Sequence, residues 1–166
     1  HVVDAGHEVT VWNRSSAPVD ELVAHGAVAA VTPADAVQGA EVVLTAFFGP
    51  DAVREIVLDA GLAVEGVWVD ITTVAPADCE DFAAWAEANG VRYVHSPVVG
   101  SLMPAKNKAL KVLAGGAEAD RDVVRDVVAL WADGGRVREY DSAAGAAGGK
   151  LIANLALAVA GQGMVE

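Results

Sequence analysis

The sequence predicts an α/β fold, a doubly wound sheet with helices packed on both of its faces. Three observations predict it. Val-rich runs bounded by Gly, Asp or Pro alternate with stretches of helical spacing along the whole chain. The central runs are apolar at successive positions, as strands covered on both faces are. Helix start and stop signals fall between the runs rather than inside them.

Strands are expected at residues 8–12 (EVTVW), 41–46 (EVVLTA), 67–72 (VWVDIT) and 91–95 (VRYVH). Weaker strand signals lie at 109–114 (ALKVLA) and 137–140 (VREY). Because the strands are apolar on both faces, a mostly parallel sheet is expected. Residues 18–25 have helical spacing at Val19, Leu22 and Val23. Thr32 and Pro33 read as the N-cap and first position of a second helix. Residues 51–58 are amphipathic, and 76–89 open on Pro76 and stop at Gly90. Residues 118–132 form a helical pattern running to Gly134-Gly135. A last, nearly all-apolar helix is expected from Gly145 to the end. Its composition predicts burial on several sides, against material beyond residue 166. No linker signal precedes residue 142, and the chain reads as cut at both ends.

Composition narrows the function. The chain has 166 residues, 54% of them apolar and 20% charged, with a net charge of −12. That balance argues against a nucleic-acid binder, which needs clustered Lys and Arg. It favours small-molecule binding with a few locally placed cations. One cysteine, Cys79, permits no internal disulfide and fits a reducing cytoplasm. It lies in a helical pattern without an identifiable base, so an inert thiol is expected. No basic-then-apolar leader pattern opens the chain. The apolar run near the end contains Asn154 and Gln162, so a buried helix is a better reading than a membrane span. The four histidines show no ligand spacing, and no metal site is expected.

Four segments could carry chemistry. In a doubly wound fold the end of the second strand faces the adenine ribose, where a carboxylate selects NAD. Here Asn13, Arg14 and Ser15 follow the strand. Arg is a planar donor suited to a phosphate, which predicts NADP, with NAD also admissible. The bland alternative is a solvated strand end. Thr72 and Thr73 stand at the end of VDITT, where such sheets bind ligands, or simply cap the next helix. The loop SPVVGS offers backbone N–H groups and a hydroxyl at Gly100 and Ser101 that could hold a carboxylate, or is an ordinary Pro/Gly loop. Finally, Lys150 and Asn154 lie four apart on one face of an apolar helix. A buried lysine is a catalytic candidate, and a snorkelling one is not.

AGHEVTVWNR, VDITTVAP, SPVVGSLMPA and GGKLIAN, in this order, resemble the β-hydroxyacid dehydrogenase family, which includes the 3-hydroxyisobutyrate dehydrogenases. The resemblance covers essentially the whole chain. It implies a Rossmann-type NAD(P)-binding domain over residues 1–142, N-terminally incomplete, with its first strand and G-x-G-x-x-G loop lying before residue 1. It implies an interdomain helix over 143–166 that begins an all-helical C-terminal domain. The implied activity is hydride transfer between a small β-hydroxyacid and its aldehyde or keto form. Lys150 would then be the general acid/base, and Asn154 would orient Lys150 or the substrate. Thr73 would sit near the nicotinamide. Val99, Gly100 and Ser101 would form the substrate loop. Arg14, flanked by Asn13 and Ser15, would meet the cofactor phosphate, and Phe47 and Phe48 would flank the adenosine. A homodimer is implied in the same way.

The departures bear on the substrate. Val99 replaces the usual Ser and Ser101 a Gly, and Lys108 stands where a Gly is common. Ala144 and Ala146 replace glycines. Ala153 stands where phosphogluconate dehydrogenases have His. An imine reductase-like activity is the alternative, although such enzymes generally lack the lysine. A non-catalytic NADP-binding module is another.

Overall fold

The computed structural model describes residues 1–162, so residues 163–166 of the expected interdomain helix lie outside the described residues. Eight strands and seven helices alternate among them. In chain order they are β1 Thr10–Val11, α1 Ser16–Val23, β2 Val28–Ala29, α2 Pro33–Val37, β3 Val42–Thr45 and α3 Pro50–Val53. A wider π-type turn, Arg54–Asp59, continues α3. Then come β4 Val67–Asp70, α4 Pro76–Ala88, β5 Arg92–His95, β6 Val98–Val99 and α5 Leu102–Lys106. Finally come β7 Leu110–Gly116, α6 Glu118–Ala129, β8 Ala132–Tyr140 and α7 Ala143–Gln162.

Local chemistry explains the starts. Thr32 accepts from Asp35 N while Asp35 accepts from Thr32 N, a reciprocal cap that fixes α2 with Pro33 in its first turn. Asp78 accepts from Ala75 N at the start of α4, which also opens on proline.

β3, β4 and β5 pair in parallel, with Val42 opposite Val67 and Val67 opposite Arg92. Beyond β5 the sheet is mixed. β7 pairs antiparallel with β5 and β6, and parallel with β8. The connection from β5 to β7 holds β6 and the five-residue α5, with no long crossover helix of the kind that usually joins parallel strands. β1 and β2 pair in parallel as a separate two-stranded unit.

Two apolar clusters cover the two faces of the main sheet, as the doubly wound class requires. β4 shows this directly. Trp68 points into one cluster with Phe82, Tyr93 and Ala147, while Val67 and Val69 point into the other with Val124 and Val128. Trp68 is fully buried, its ring centroid 4.6 Å from Tyr93 and 6.1 Å from Phe82. Such packing contributes beyond area burial alone.

Two further expectations change. α6 ends at Ala129, and Gly134-Gly135 lies within β8 instead of ending a helix. Both glycines have positive φ, and the pairing register with β7 shifts between Leu110 and Val112, the mark of a bulge. α5 replaces an expected loop, and Pro104 is tolerated in its first turn, where backbone N–H groups lack helical partners. α7 is buried only along its first two turns. Leu151, Ile152, Leu155, Leu157 and Val159 are exposed. By length and composition α7 could cross a membrane, but its start packs on α4 and the sheet.

Candidate functional site

The C-terminal ends of β3, β4 and β5 lie side by side, and a carboxylate joins them. Asp70 is fully buried at the end of β4. Its Oδ1 accepts from Thr45 Oγ1 (2.8 Å), Thr72 Oγ1 (2.6 Å) and Thr72 N (3.2 Å). Its Oδ2 lies 3.4 Å from His95 Nδ1 at the end of β5. Thr72 Oγ1 in turn accepts from Phe47 N (3.1 Å), and Thr45 Oγ1 accepts from Trp68 Nε1 (2.9 Å). Ser96 N donates to Asp70 O (2.7 Å), and Ser96 Oγ donates to Leu113 O (2.8 Å). Neither Asp70 nor His95 was singled out from the sequence. The available signal was a charged residue ending an otherwise apolar strand.

Around this network the expected site residues divide by position. Thr73 is exposed immediately after buried Thr72. Phe47 is half-buried against the core and Phe48 fully exposed. Asn13, Arg14 and Ser15 are exposed at the end of β1, where Asn13 Nδ2 donates to Ser15 O (3.1 Å) and Ser15 Oγ (2.9 Å). Arg14 pairs with Glu55 at 3.3 Å. Glu55 lies in the helical segment that follows the Phe47–Phe48 loop, so the β1 end and that loop share one side of the molecule. A guanidinium, an amide and a hydroxyl exposed there could meet the phosphate of an adenosine moiety.

The loop at residues 99–101 and α7 close the other side. Val99 is half-buried, and Gly100 and Ser101 are exposed. Gly100 has φ +142°, and a Cβ there would lie 2.6 Å from Leu110 Cδ2, so this turn excludes larger residues. α7 packs on α4, β5, β6 and β7. A Cβ at Gly148 would come within 4.0 Å of Pro76 Cγ, which places the helix beside the end of the Thr72–Thr73 loop. Lys150 is 9% exposed. Burial pushes its amine below the ordinary lysine range. Among the described residues it has no ion-pair partner. Asn154 is exposed, and no hydrogen bond joins it to Lys150. An open cleft of about 390 Å³ lies between α7 and β6–β8, lined by Val99, Leu113, Tyr140, Gly149 and Ala153. Lys150 is not among its lining residues.

An α/β sheet with donors, aromatics and hydroxyls gathered at its strand ends defines a dinucleotide-binding domain. Comparison with known proteins makes the assignment specific. The family model for the NAD binding domain of 6-phosphogluconate dehydrogenase matches residues 1–141. The probable mitochondrial 3-hydroxyisobutyrate dehydrogenase-like 1 of Arabidopsis thaliana is 31% identical over 172 aligned positions, covering 100% of this chain and 51% of the relative. Mycobacterium tuberculosis 3-hydroxyisobutyrate dehydrogenase, solved with L-serine, superposes with a TM-score of 0.88 at 27% identity, over 95% of this chain and 54% of that one. An imine reductase from Streptomyces aurantiacus gives 0.84 at 25% identity, over 99% of this chain and 57% of that one. The chain belongs to the β-hydroxyacid dehydrogenase family, as a Rossmann-type NAD(P)-binding domain. It spans about half the length of the relatives it matches.

Proposed function

We propose that the protein containing this domain is an NADP-preferring oxidoreductase that interconverts a small β-hydroxyacid and its aldehyde or keto form. The observation that carries this reading is Lys150, a buried amine with a lowered pKa on a helix that packs between the Thr72–Thr73 loop and β6. A nicotinamide cofactor held beside Thr73 would supply or accept the hydride. As hydride reaches the carbonyl carbon, negative charge grows on its oxygen. The Lys150 ammonium stabilises that charge and donates a proton to the oxygen, and in the oxidising direction the neutral amine takes the hydroxyl proton. Gly100 and Ser101 hold the substrate carboxylate with a backbone N–H and a hydroxyl, and Val99 presents an apolar wall. Thr73 borders the nicotinamide, and Asn154 adds a polar group one helical turn beyond Lys150. Arg14, with Asn13 and Ser15, meets the adenosine 2′-phosphate, and Phe47 and Phe48 flank the base.

Lys150→Met in the full-length protein tests the reading. Loss of roughly 10²- to 10⁴-fold in kcat with a small semialdehyde and NADPH is expected. Turnover within tenfold of the parent would refute the acid/base role. The second reading is imine reduction, favoured by the likeness to the Streptomyces aurantiacus imine reductase and by the Val99 and Ser101 departures. NADPH oxidation with cyclic imines but not with semialdehydes would select it.

A further inference from the structure

We infer that Asp70 is a positioning residue for the cofactor crevice, acting through Thr72. The inference rests on the reading that this crevice holds a nicotinamide dinucleotide. The β3–β4 ladder ends at Thr45 opposite Asp70, with a last backbone bond from Ile71 N to Thr45 O (2.8 Å). Beyond that point the two chains separate into the Phe47–Phe48 and Thr72–Thr73 loops. Side chains take over where the ladder stops. Asp70 Oδ1 accepts from Thr72 Oγ1 and N, and Thr72 Oγ1 accepts from Phe47 N. One carboxylate oxygen therefore sets the separation and direction of both loops. It also sets which residue faces the crevice. Thr72 is held 2% exposed, so its neighbour Thr73 is turned outward.

Asp70 is the only fully buried carboxylate among the described residues. Burying a carboxylate is costly unless donors compensate, and here three donors meet one of its oxygens. The carboxylate has a second arm of a different kind. Thr45 Oγ1 donates to the same Oδ1 and accepts from Trp68 Nε1, which leads into the core and away from the crevice. The two arms are chemically alike and separable by mutation, which gives the inference its control.

The test compares Thr72→Val with Thr45→Val in the full-length protein, each replacing a hydroxyl by a methyl group of similar volume. Asp70→Asn serves as a milder variant that keeps an acceptor oxygen. Thermal denaturation, NADPH titration, steady-state kinetics and hydrogen exchange are measured on all of them. Both threonine variants are expected to lower thermal stability. Thr72→Val weakens NADPH binding and raises its KM by roughly five- to twentyfold, with kcat at saturating cofactor changed less than threefold. It also speeds exchange at residues 47–49 and 72–74. Thr45→Val leaves NADPH affinity within twofold and speeds exchange in β4 instead. Equal weakening by both variants, or unchanged loop exchange in Thr72→Val, would overturn the inference. If the parent protein binds neither NADPH nor NADH while Thr72→Val still loosens the loops, the cofactor reading fails and the clamp alone stands.

Discussion

The Arg14 guanidinium lies 3.3 Å from Glu55 Oε2, so the cation proposed to meet a cofactor phosphate already holds a carboxylate. Both side chains are about 70% exposed, and such pairs are weak and screened by salt. The phosphate of NADP carries more charge than one carboxylate and would displace it. Glu55→Gln is therefore expected to tighten NADPH binding roughly two- to fivefold at low salt, an effect that fades as ionic strength rises. Titration of NADPH and NADH across a salt series checks this. Arg14→Ala should lower the NADPH-over-NADH preference by about tenfold, with little change in stability.

The Lys150 amine gives a pH dependence of known sign. Burial lowers its folded-state pKa below the unfolded value. The unfolded chain then holds the proton more tightly, so folding stability rises as pH climbs through the folded value and levels off above the unfolded one. Lys150→Met removes that slope. The variant should be as stable as the parent or more so at neutral pH, the difference shrinking under alkaline conditions. Kinetically, reduction should fall and oxidation rise over the same alkaline window, below the ordinary lysine range. Melting curves and kcat/KM profiles of both proteins measure the two effects.

Lys108 has φ +54°, and no other non-glycine described residue has a positive φ. This is the position at which glycine is common in the family, and the backbone shows why. Lys108→Gly relieves left-handed strain and is expected to be neutral or to raise stability by about 0.5–1 kcal/mol. Urea denaturation would read it.

Gly100 presents the reverse case. Its φ is +142°, and a methyl group added there would lie 2.6 Å from Leu110 Cδ2 and 3.1 Å from Pro104 Cβ, so Gly100→Ala strains the backbone and displaces the Leu110 side chain. The substitution should cost about 1–3 kcal/mol and raise the substrate KM more than the NADPH KM. An unchanged substrate KM would remove Gly100 from the carboxylate grip.

Much of the fold was legible because its signals are local. The runs at 42–45 and 67–70 are apolar on both faces, and Thr32-Pro33 and Gly90 punctuate helices by known chemistry. What escaped depends on partners. β2 and β6 have two residues each and exist because β1 and β7 pair with them. Gly134-Gly135 reads as a helix stop in sequence, and only the register of β7 makes it a bulge. Strand direction leaves no mark in a run such as LKVLA, so the antiparallel pairing of β7 could not be read. In the site, exposed donors such as Arg14 and the polar pair on α7 stood out against apolar surroundings. Asp70 and His95 did not, since their meaning lies in a convergence of three strands far apart in sequence.

Cys79 is the chain's single cysteine, fully buried in α4, with its thiol pushed up to about 12 chiefly by burial. A thiol so placed is almost entirely protonated at neutral pH and out of reach of reagents. The surface is therefore chemically blank towards maleimides. Ser101→Cys or Phe48→Cys would install one addressable handle beside either half of the crevice, for a fluorophore or spin label, with no background to subtract.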